Sequence, residues 1–227
     1  MSPRIITLCA LITLLSITSH AGMTPEEVKT FSETRLKAEL GNAEAQCNLG
    51  LCFAFGKGVL KDQVEAVKWY RKAAEQGNAN AQVNLGACYA FGTGVLKDNV
   101  EAAKWIRKAA EQGDASGQFY LGAAYFSRGV HNDEAEGVKW FRKAAEQGNV
   151  SAQYILGIAY SIGHGVLKDE VESYAWINLA ALTDPEIKNE RDRLEKMLPQ
   201  STIEAGQKRS NELQALIEKN KAASGSK

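Results

Sequence analysis

The 227-residue sequence has no excess of either charge, since 27 basic side chains are matched by 27 acidic ones, and it holds only four prolines and four cysteines. Neutrality argues against a nucleic-acid-binding domain, because such a domain uses a positive excess to release counterions from phosphates. Hydrophobic residues make up 44% of the chain and charged residues 24%, which is typical of a folded globular protein. The composition therefore also excludes a disordered or fibrous chain.

The one long apolar run lies near the N-terminus, at residues 5–17, directly after Arg4. A Ser-His-Ala tripeptide then places small residues where a cleavage site after Ala21 needs them. This order predicts a cleavable secretory signal peptide over residues 1–21. The alternative is a membrane anchor, but a spanning helix needs roughly 20 apolar residues and this run has about 13. We therefore expect an exported protein, either periplasmic or secreted.

Three cysteines remain after removal of the signal peptide, namely Cys47, Cys52 and Cys88. An odd number is a poor basis for a disulfide framework. Cys47 and Cys52 also lie five apart on one predicted helix, which is a poor geometry for a bond between them. We interpret all three as small core side chains, and the sequence leaves their redox state open.

Repeated residues organise the rest of the chain. Four tryptophans and four glycines recur at spacings of 35 or 36 residues. Even spacing across most of a chain predicts an array of stacked units and not one globule. The units lie at residues 42–77, 78–113, 114–148 and 149–184, and their markers are Trp69, Trp105, Trp140 and Trp176 with Gly41, Gly77, Gly113 and Gly148.

Each unit carries the pattern of two helices. In the first unit, one helix opens after Asn42 as N-cap and the other opens at the capping box of Asp62 and Glu65. A glycine inside every first helix, such as Gly50, indicates the close approach of a neighbouring helix at facing alanines. The Gly-rich loop between the two helices predicts turn glycines, with the Val-Leu pair that follows tucked into the core.

Both ends of the array carry predicted capping helices. Residues 22–41 form an N-terminal capping helix that opens with a capping box at Thr24. Residues 185–221 form a C-terminal capping pair, whose second helix takes Ser201 as its N-cap, and the tail 222–227 is expected to be disordered. The apolar stripe of that last helix is Ile203, Gly206, Ser210, Leu213 and Ile217.

The repeated signature resembles the Sel1-like repeat, a relative of the tetratricopeptide repeat. The matching parts are Ala-x-Ala-Gln-x-x-Leu-Gly-x-x-Tyr/Phe, a loop with Gly-Val, and Ala-x-x-Trp-Tyr/Ile/Phe-Arg-Lys-Ala-Ala-Glu-Gln-Gly, over residues 42–184. The resemblance implies an all-α fold, a right-handed α-solenoid of about four two-helix repeats with capping helices. It also implies an exported scaffold or adaptor, here expected to be monomeric, that binds a protein or peptide partner on the concave face of the array.

Enzymatic chemistry has little support in the sequence. Secreted, cysteine-rich members of the family are classed as β-lactamase-like or penicillin-binding, so a β-lactamase-like or peptidoglycan-binding envelope protein is the alternative function. Those members carry a cysteine pair in each repeat, which this chain lacks, as it lacks Gly-x-Ser-x-Gly and His-Glu-x-x-His. His131 and His164 are expected to be exposed loop side chains. We predict no catalytic residue, no cofactor and no metal, and a chromogenic β-lactam hydrolysis assay separates the two functions.

Positions that vary between repeats are free for function, whereas positions that recur serve the fold. On the first helices the varying stripe becomes more aromatic toward the third and fourth units, which favours a groove with interface anchors. The equally open alternative is that these side chains fill the core between units. The fourth unit has one lysine against four acidic side chains, a net charge of −3, which favours a partner with a basic segment. The candidate partner-binding residues are Asn48, Asn84, Phe119, Tyr120, Tyr154, Ile155 and Ile158.

Overall fold

The computed structural model of the chain describes residues 23–126 and 133–224, and every regular element within them is a helix. The expected all-α solenoid of two-helix repeats is confirmed. The predicted signal peptide, His131 and residues 225–227 lie outside the described residues. The helices are α1 (Pro25–Glu39), α2 (Ala43–Phe55), α3 (Gln63–Glu75), α4 (Ala79–Phe91), α5 (Asn99–Glu111), α6 (Ala115–Phe126), α7 (Glu134–Ala145), α8 (Val150–Ile162), α9 (Glu170–Thr183), α10 (Pro185–Met197) and α11 (Gln200–Ser224).

Apart from its repeats, the chain divides inside α5 into two larger compact parts. They are called from here on the first unit, which ends at Trp105, and the second unit, which starts at Ile106. In the first unit α1 packs on α2, α2 on α3, and α3 on α4. In the second unit α6 packs on α7, α7 on α8, and α8 on α9, which also contacts α10 and α11. None of the helices in the described ranges combines the length and the apolar character that crossing a membrane requires.

The N-caps predicted for the repeats are present. Asn42 accepts a hydrogen bond at 2.8 Å from a backbone N–H in the first turn of α2, and Asp62 accepts one at 3.0 Å in the first turn of α3. Helix α2 ends at Gly56, which adopts the left-handed conformation (φ 72°) that glycine reaches without steric cost. The capping box predicted at the start of α1 is also formed. These caps satisfy backbone groups that helix ends leave without partners.

A buried glutamine ties the first helix of each repeat to the helix before it. In the first unit the side-chain amide of Gln46 donates to the carbonyl of Ala38 at 3.1 Å, and in the second unit Gln153 donates to Ala145 at 3.2 Å. The accepting carbonyls lie in the last turn of the preceding helix, where each also accepts the backbone N–H of the glycine that follows the helix. The other two bonds of this kind join Gln82 to Ala74 and Gln118 to Ala110.

An arginine–tyrosine contact recurs in the same way. Arg71 donates to the hydroxyl of Tyr89 at 2.6 Å, and its guanidinium lies 5.6 Å from the ring centre. In the fourth repeat Asn178 replaces the arginine and donates to Ser210 of α11 at 3.1 Å. Helix α11 thus covers the last repeat as a further repeat would, which is the role of a cap. The other two pairs are Arg107 with Tyr125 and Arg142 with Tyr160.

The glycine inside the first helices is required by a close approach, but the neighbour differs from the prediction. A Cβ atom on Gly50 would lie 2.6 Å from the ring of Tyr70, and one on Gly157 would lie 2.5 Å from Ile177. Both neighbours follow the recurring tryptophan in the second helix of the same repeat. The prediction of facing alanines is therefore wrong, because a large side chain fills the space that the glycine leaves.

The Val-Leu pair of the Gly-rich loops is buried only at the valine. Val59 packs against the core of the first unit, whereas Leu60, Leu96 and Leu167 are 64%, 88% and 90% exposed. Gly58 lets the loop backbone lie directly on α1, so that the valine side of the loop meets the core and the leucine faces outward. The prediction that both residues tuck into the core is wrong for the leucine.

The last helix begins earlier and ends later than predicted. Ser201 is not the N-cap but lies inside α11, because the carbonyl of Pro199 accepts a backbone hydrogen bond at 2.9 Å and starts the helix before it. Residues 222–224, predicted to be disordered, are helical. The Asn220 side chain donates to the carbonyl of Glu146 at 3.1 Å, which holds the last turns on the second unit. The buried stripe of α11 contains Ile203, Gly206, Ser210, Leu213 and Ile217.

The third repeat differs from the first by a compensating exchange of size. Phe126 and Gly137 stand where the first repeat has Ala54 and Ala66. A Cβ atom on Gly137 would overlap the ring of Phe126, whose centre lies 5.1 Å from that of Phe141. The glycine leaves the room that the phenylalanine fills, so neither change fits the core without the other.

Replacing Gln153 by methionine tests the recurring amide–carbonyl bond. Methionine keeps the length and apolar volume of the side chain but donates nothing, while the Ala145 carbonyl keeps its bond from Gly148. We expect the free energy of unfolding, measured by urea denaturation, to fall by about 1 kcal/mol. The control Gln214→Met, on the exposed side of α11, should change it by less than about 0.5 kcal/mol. Equal losses in the two variants would contradict a role for the buried amide.

A double-mutant cycle tests the size exchange in the third repeat. Gly137→Ala should destabilise the protein by about 1–3 kcal/mol because the added methyl group meets the Phe126 ring, and Phe126→Ala should destabilise it by leaving a void. The double variant F126A/G137A recreates the alanine pair of the first repeat. We expect it to be more stable than the sum of the single losses, with a coupling of about 0.5–3 kcal/mol in urea unfolding. Simple additivity would show that the two residues do not compensate each other.

Candidate protein-interaction site

A surface cleft of about 370 Å³ lies in the second unit and is lined by three of the seven candidate residues. Phe119 comes from α6, while Tyr154 and Ile155 come from α8. The N-cap and first turns of α10 supply Ile187 and all the charged side chains. We call it the aromatic–acidic cleft, and its lining residues are Phe119, Val150, Ser151, Tyr154, Ile155, Asp184, Glu186, Ile187 and Glu190.

The aromatic side of this cleft belongs partly to the core. Phe119 and Ile155 are half-buried and pack against the core of the second unit. The ring centre of Phe119 lies 5.6 Å from that of Phe141 and 5.3 Å from that of Tyr120. A ring held by such neighbours offers an apolar face to a ligand with little further loss of side-chain entropy.

Three carboxylates border the cleft, from Asp184, Glu186 and Glu190, and none of the residues that line it is basic. Asp184 caps α10, because its Oδ1 accepts a hydrogen bond from the backbone N–H of Glu186 at 2.9 Å. Glu186 is exposed, and Glu190 lies 3.7 Å from the guanidinium of Arg193. The cleft therefore combines apolar rings with negative charge, a pattern that attracts positively charged groups.

Sequence reasoning missed the source of most of this charge. It assigned the acidic character to residues 149–184, but Asp184 alone among the acidic residues of that segment lines the cleft. Glu186, Ile187 and Glu190 belong to the segment interpreted as a capping helix. Their spacing was the available signal, since residues three and four apart, such as Ile187 with Glu190 and Glu186 with Glu190, share one face of a helix.

The other four candidate residues lie outside this cleft. Asn84 lies in the first unit, where it donates to the thiol of Cys47 at 3.8 Å and lines a separate cleft. Asn48 is exposed, Tyr120 is 44% exposed and Ile158 is half-buried, and none of these three lines either cleft.

The described residues include three cysteines, two clefts and one histidine whose surroundings the structure defines. Within them no group of three or more His, Cys, Asp or Glu could hold a metal ion. Burial raises the pKa of the thiols of Cys47, Cys52 and Cys88, which keeps them protonated and weakly nucleophilic at neutral pH. His164, expected to be an exposed loop side chain, is half-buried in its loop, and its Nε2 lies 2.7 Å from Oε1 of Glu134. That pair ties the loop of the fourth repeat to the start of α7.

Comparison with known proteins agrees with this architecture. The family model for the Sel1 repeat matches residues 43–78, 79–114, 115–149 and 150–182. Each match starts one residue after the corresponding repeat that the spacing of tryptophans and glycines predicts. Comparison with curated proteins gives no match.

Solved structures of Sel1 repeat proteins are similar to the chain. A Sel1 repeat protein from Oxalobacter formigenes is 36% identical with a TM-score of 0.65, and the alignment covers 75% of this chain and 66% of that protein. A protective antigen of uropathogenic Escherichia coli strains, which displays an SLR fold, is 30% identical with a TM-score of 0.53, over 92% of this chain and 54% of that one. An immunity protein from Pseudomonas aeruginosa shares the fold at 18% identity and a TM-score of 0.50, over 96% and 83% of the two chains.

This chain thus spans between about half and two thirds of the length of the first two proteins. The family matches are consecutive and together cover more than half of the sequence. They coincide with the two-helix repeats and with the buried glutamine that recurs at the start of each of them. The chain therefore belongs to the Sel1 repeat family.

Proposed function

We propose that the protein is an exported, non-enzymatic scaffold that binds a basic peptide segment of a partner protein in the aromatic–acidic cleft. The observation that carries the proposal is the composition of that cleft, in which half-buried Phe119 and Tyr154 lie beside the carboxylates of Asp184, Glu186 and Glu190. The Sel1 repeat fold typically mediates protein–protein interactions, and its members are generally non-enzymatic scaffolds. The family therefore supports the class of function, and the cleft supports the kind of partner.

The two parts of the cleft have separate roles in this proposal. An aliphatic or aromatic side chain of the partner covers the faces of Phe119 and Tyr154, and burial of such anchors supplies most of the affinity at an interface. Lysine or arginine side chains next to that anchor pair with the carboxylates at the edge of the cleft. Because those pairs lie at the rim, they contribute mainly to the association rate and to the choice of partner.

Removal of two carboxylates tests the charge part of the proposal. The probe is a fluorescein-labelled peptide with a Leu-Phe pair between lysines and arginines, and its comparator carries glutamine in place of each basic residue. In fluorescence anisotropy the basic peptide should bind the mature chain more tightly than the neutral one. The double variant Glu186→Gln/Glu190→Gln should weaken binding of the basic peptide roughly tenfold at low salt and reduce its salt dependence.

The matched control makes the same change of net charge in the first unit. Glu44 and Glu75 are exposed there, and the double variant Glu44→Gln/Glu75→Gln should leave the affinity within about twofold of the original. Tyr154→Ala tests the apolar part, and it should weaken binding while circular dichroism shows an intact helical fold. If the basic peptide bound both double variants equally well, the cleft would not be its site. If Tyr154→Ala unfolded the protein, its ring would be a core residue.

Export is the second part of the proposal and depends on residues 1–21. In the native host the mature chain should be found outside the cytoplasm, and its intact mass should correspond to cleavage after Ala21. Leu14→Arg places a charge in the apolar run and should leave the uncleaved chain in the cytoplasm. Recovery of the full-length mass from the envelope fraction would contradict cleavage and favour a membrane anchor.

A further inference from the structure

A second cleft, of about 290 Å³, opens on the surface of the first unit. Phe55 and Phe91, at the C-terminal ends of α2 and α4, lie along it. The buried side chains of Tyr70 and Cys88 complete its apolar lining. Burial raises the pKa of both groups, so they stay protonated and neutral at physiological pH. We call this the loop-edge cleft, because the Gly-rich loops of the first two repeats adjoin it.

Apolar side chains beside this cleft are exposed although their positions recur in the repeats. Phe55 and Phe91 are 68% and 81% exposed, and Leu60 and Leu96 in the adjoining loops are 64% and 88% exposed. By contrast, the recurring Leu49 is fully buried. The packing of the repeats therefore does not use these four side chains. Neighbouring exposed apolar groups of this kind are typical of an interaction surface.

The one charged residue among those that line the loop-edge cleft is basic, namely Lys61. In the described residues Lys57, Lys61 and Lys97 form no ion pair, whereas Lys68 and Lys104 on the second helices each pair with a glutamate one turn earlier. The aspartates that follow in the two loops are occupied as helix N-caps, where they accept backbone hydrogen bonds. Lys61, which lines the cleft, is thus available to an acidic group from outside.

We propose that the loop-edge cleft binds an acidic peptide segment of a partner protein, with an aliphatic or aromatic anchor in the cleft and a carboxylate at Lys61. Lys57 and Lys97 add positive potential that attracts such a segment and excludes a basic one. The recognition chemistry is opposite in sign to that of the aromatic–acidic cleft. The inference therefore goes beyond the proposed function and assigns the scaffold a second, separate peptide site.

The shape of the site favours a peptide over a lipid surface. An apolar anchor enters a cavity between two helices, where neutral walls formed by Tyr70 and Cys88 surround it. A membrane-docking surface inserts protruding apolar side chains among lipid headgroups, and the exposed Phe55 and Phe91 have that property too. Binding to anionic vesicles is accordingly an outcome that the experiment has to exclude.

The experiment measures how tightly the mature chain binds two fluorescein-labelled peptides. The acidic peptide has a Leu-Phe pair between aspartates and glutamates, and the neutral comparator has asparagine and glutamine in place of those acidic residues. In fluorescence anisotropy with the mature chain, the acidic peptide should bind at least tenfold more tightly than the neutral one. Lys61→Glu and Phe91→Ser should each weaken binding of the acidic peptide by at least tenfold. Both variants should retain the helical circular dichroism of the original, because the two side chains are exposed.

Matched controls come from the equivalent positions of the fourth repeat. Ile162→Ser and Lys168→Glu make the same changes at exposed sites in the second unit and should leave binding of the acidic peptide unchanged. The affinity of the basic peptide is measured for the same variants, and Lys61→Glu and Phe91→Ser should not change it. Failure of this inference and failure of the proposed function are therefore distinguishable.

Three results would overturn the inference. The first is unchanged binding of the acidic peptide in both first-unit variants. The second is an equal loss in the controls of the fourth repeat. The third is cosedimentation of the chain with phosphatidylserine vesicles, lost in Phe91→Ser, without measurable binding of the acidic peptide.

Discussion

The fold depends on one recurring hydrogen bond, from a buried glutamine amide to a carbonyl in the last turn of the preceding helix. The accepting carbonyl also receives a backbone N–H from the turn that ends its helix, as Ala145 does from Gly148. The glutamine adds a second donor from the first helix of the next repeat, and the bond satisfies its own buried amide. Because this bond recurs, consecutive helices meet with the same spacing, and contacts such as Gly50 with Tyr70 can be repeated along the chain.

Regular packing leaves some positions free, and the two units use them differently. Phe119 and Tyr154 occupy the position that Cys47 holds in the first repeat. The small thiol is buried, whereas the rings exceed the available space and extend into a cleft. In the first unit the apolar surface lies instead beside Lys61, at the ends of α2 and α4. The same backbone therefore presents an acidic aromatic cleft in one unit and a cleft bordered by lysines in the other.

Predictions from the sequence were accurate where the interaction is local and wrong where it is not. The caps at Asn42 and Asp62 depend on residues three positions apart, and both are formed. The partner of Gly50, the outward direction of Leu60 and the pairing of His164 with Glu134 depend on the packing of separate helices and loops. Only part of the candidate site could be predicted. Aromatic side chains that vary between repeats can be recognised in a sequence, but the residues of α10 that face them across the cleft cannot.

The sequence by itself determined the number, order and type of the helices, since N-caps and apolar periodicity act over a few residues and the repeat spacing shows how often each pair of helices recurs. Only the tertiary structure decided which side chains became surface. Glu186 and Glu190 are more than 30 residues from Phe119 in the chain, yet they line the same cleft. That meeting results from the packing of α8 and α10 around the core of the second unit, and such long-range contacts depend on the volumes of all the side chains between them.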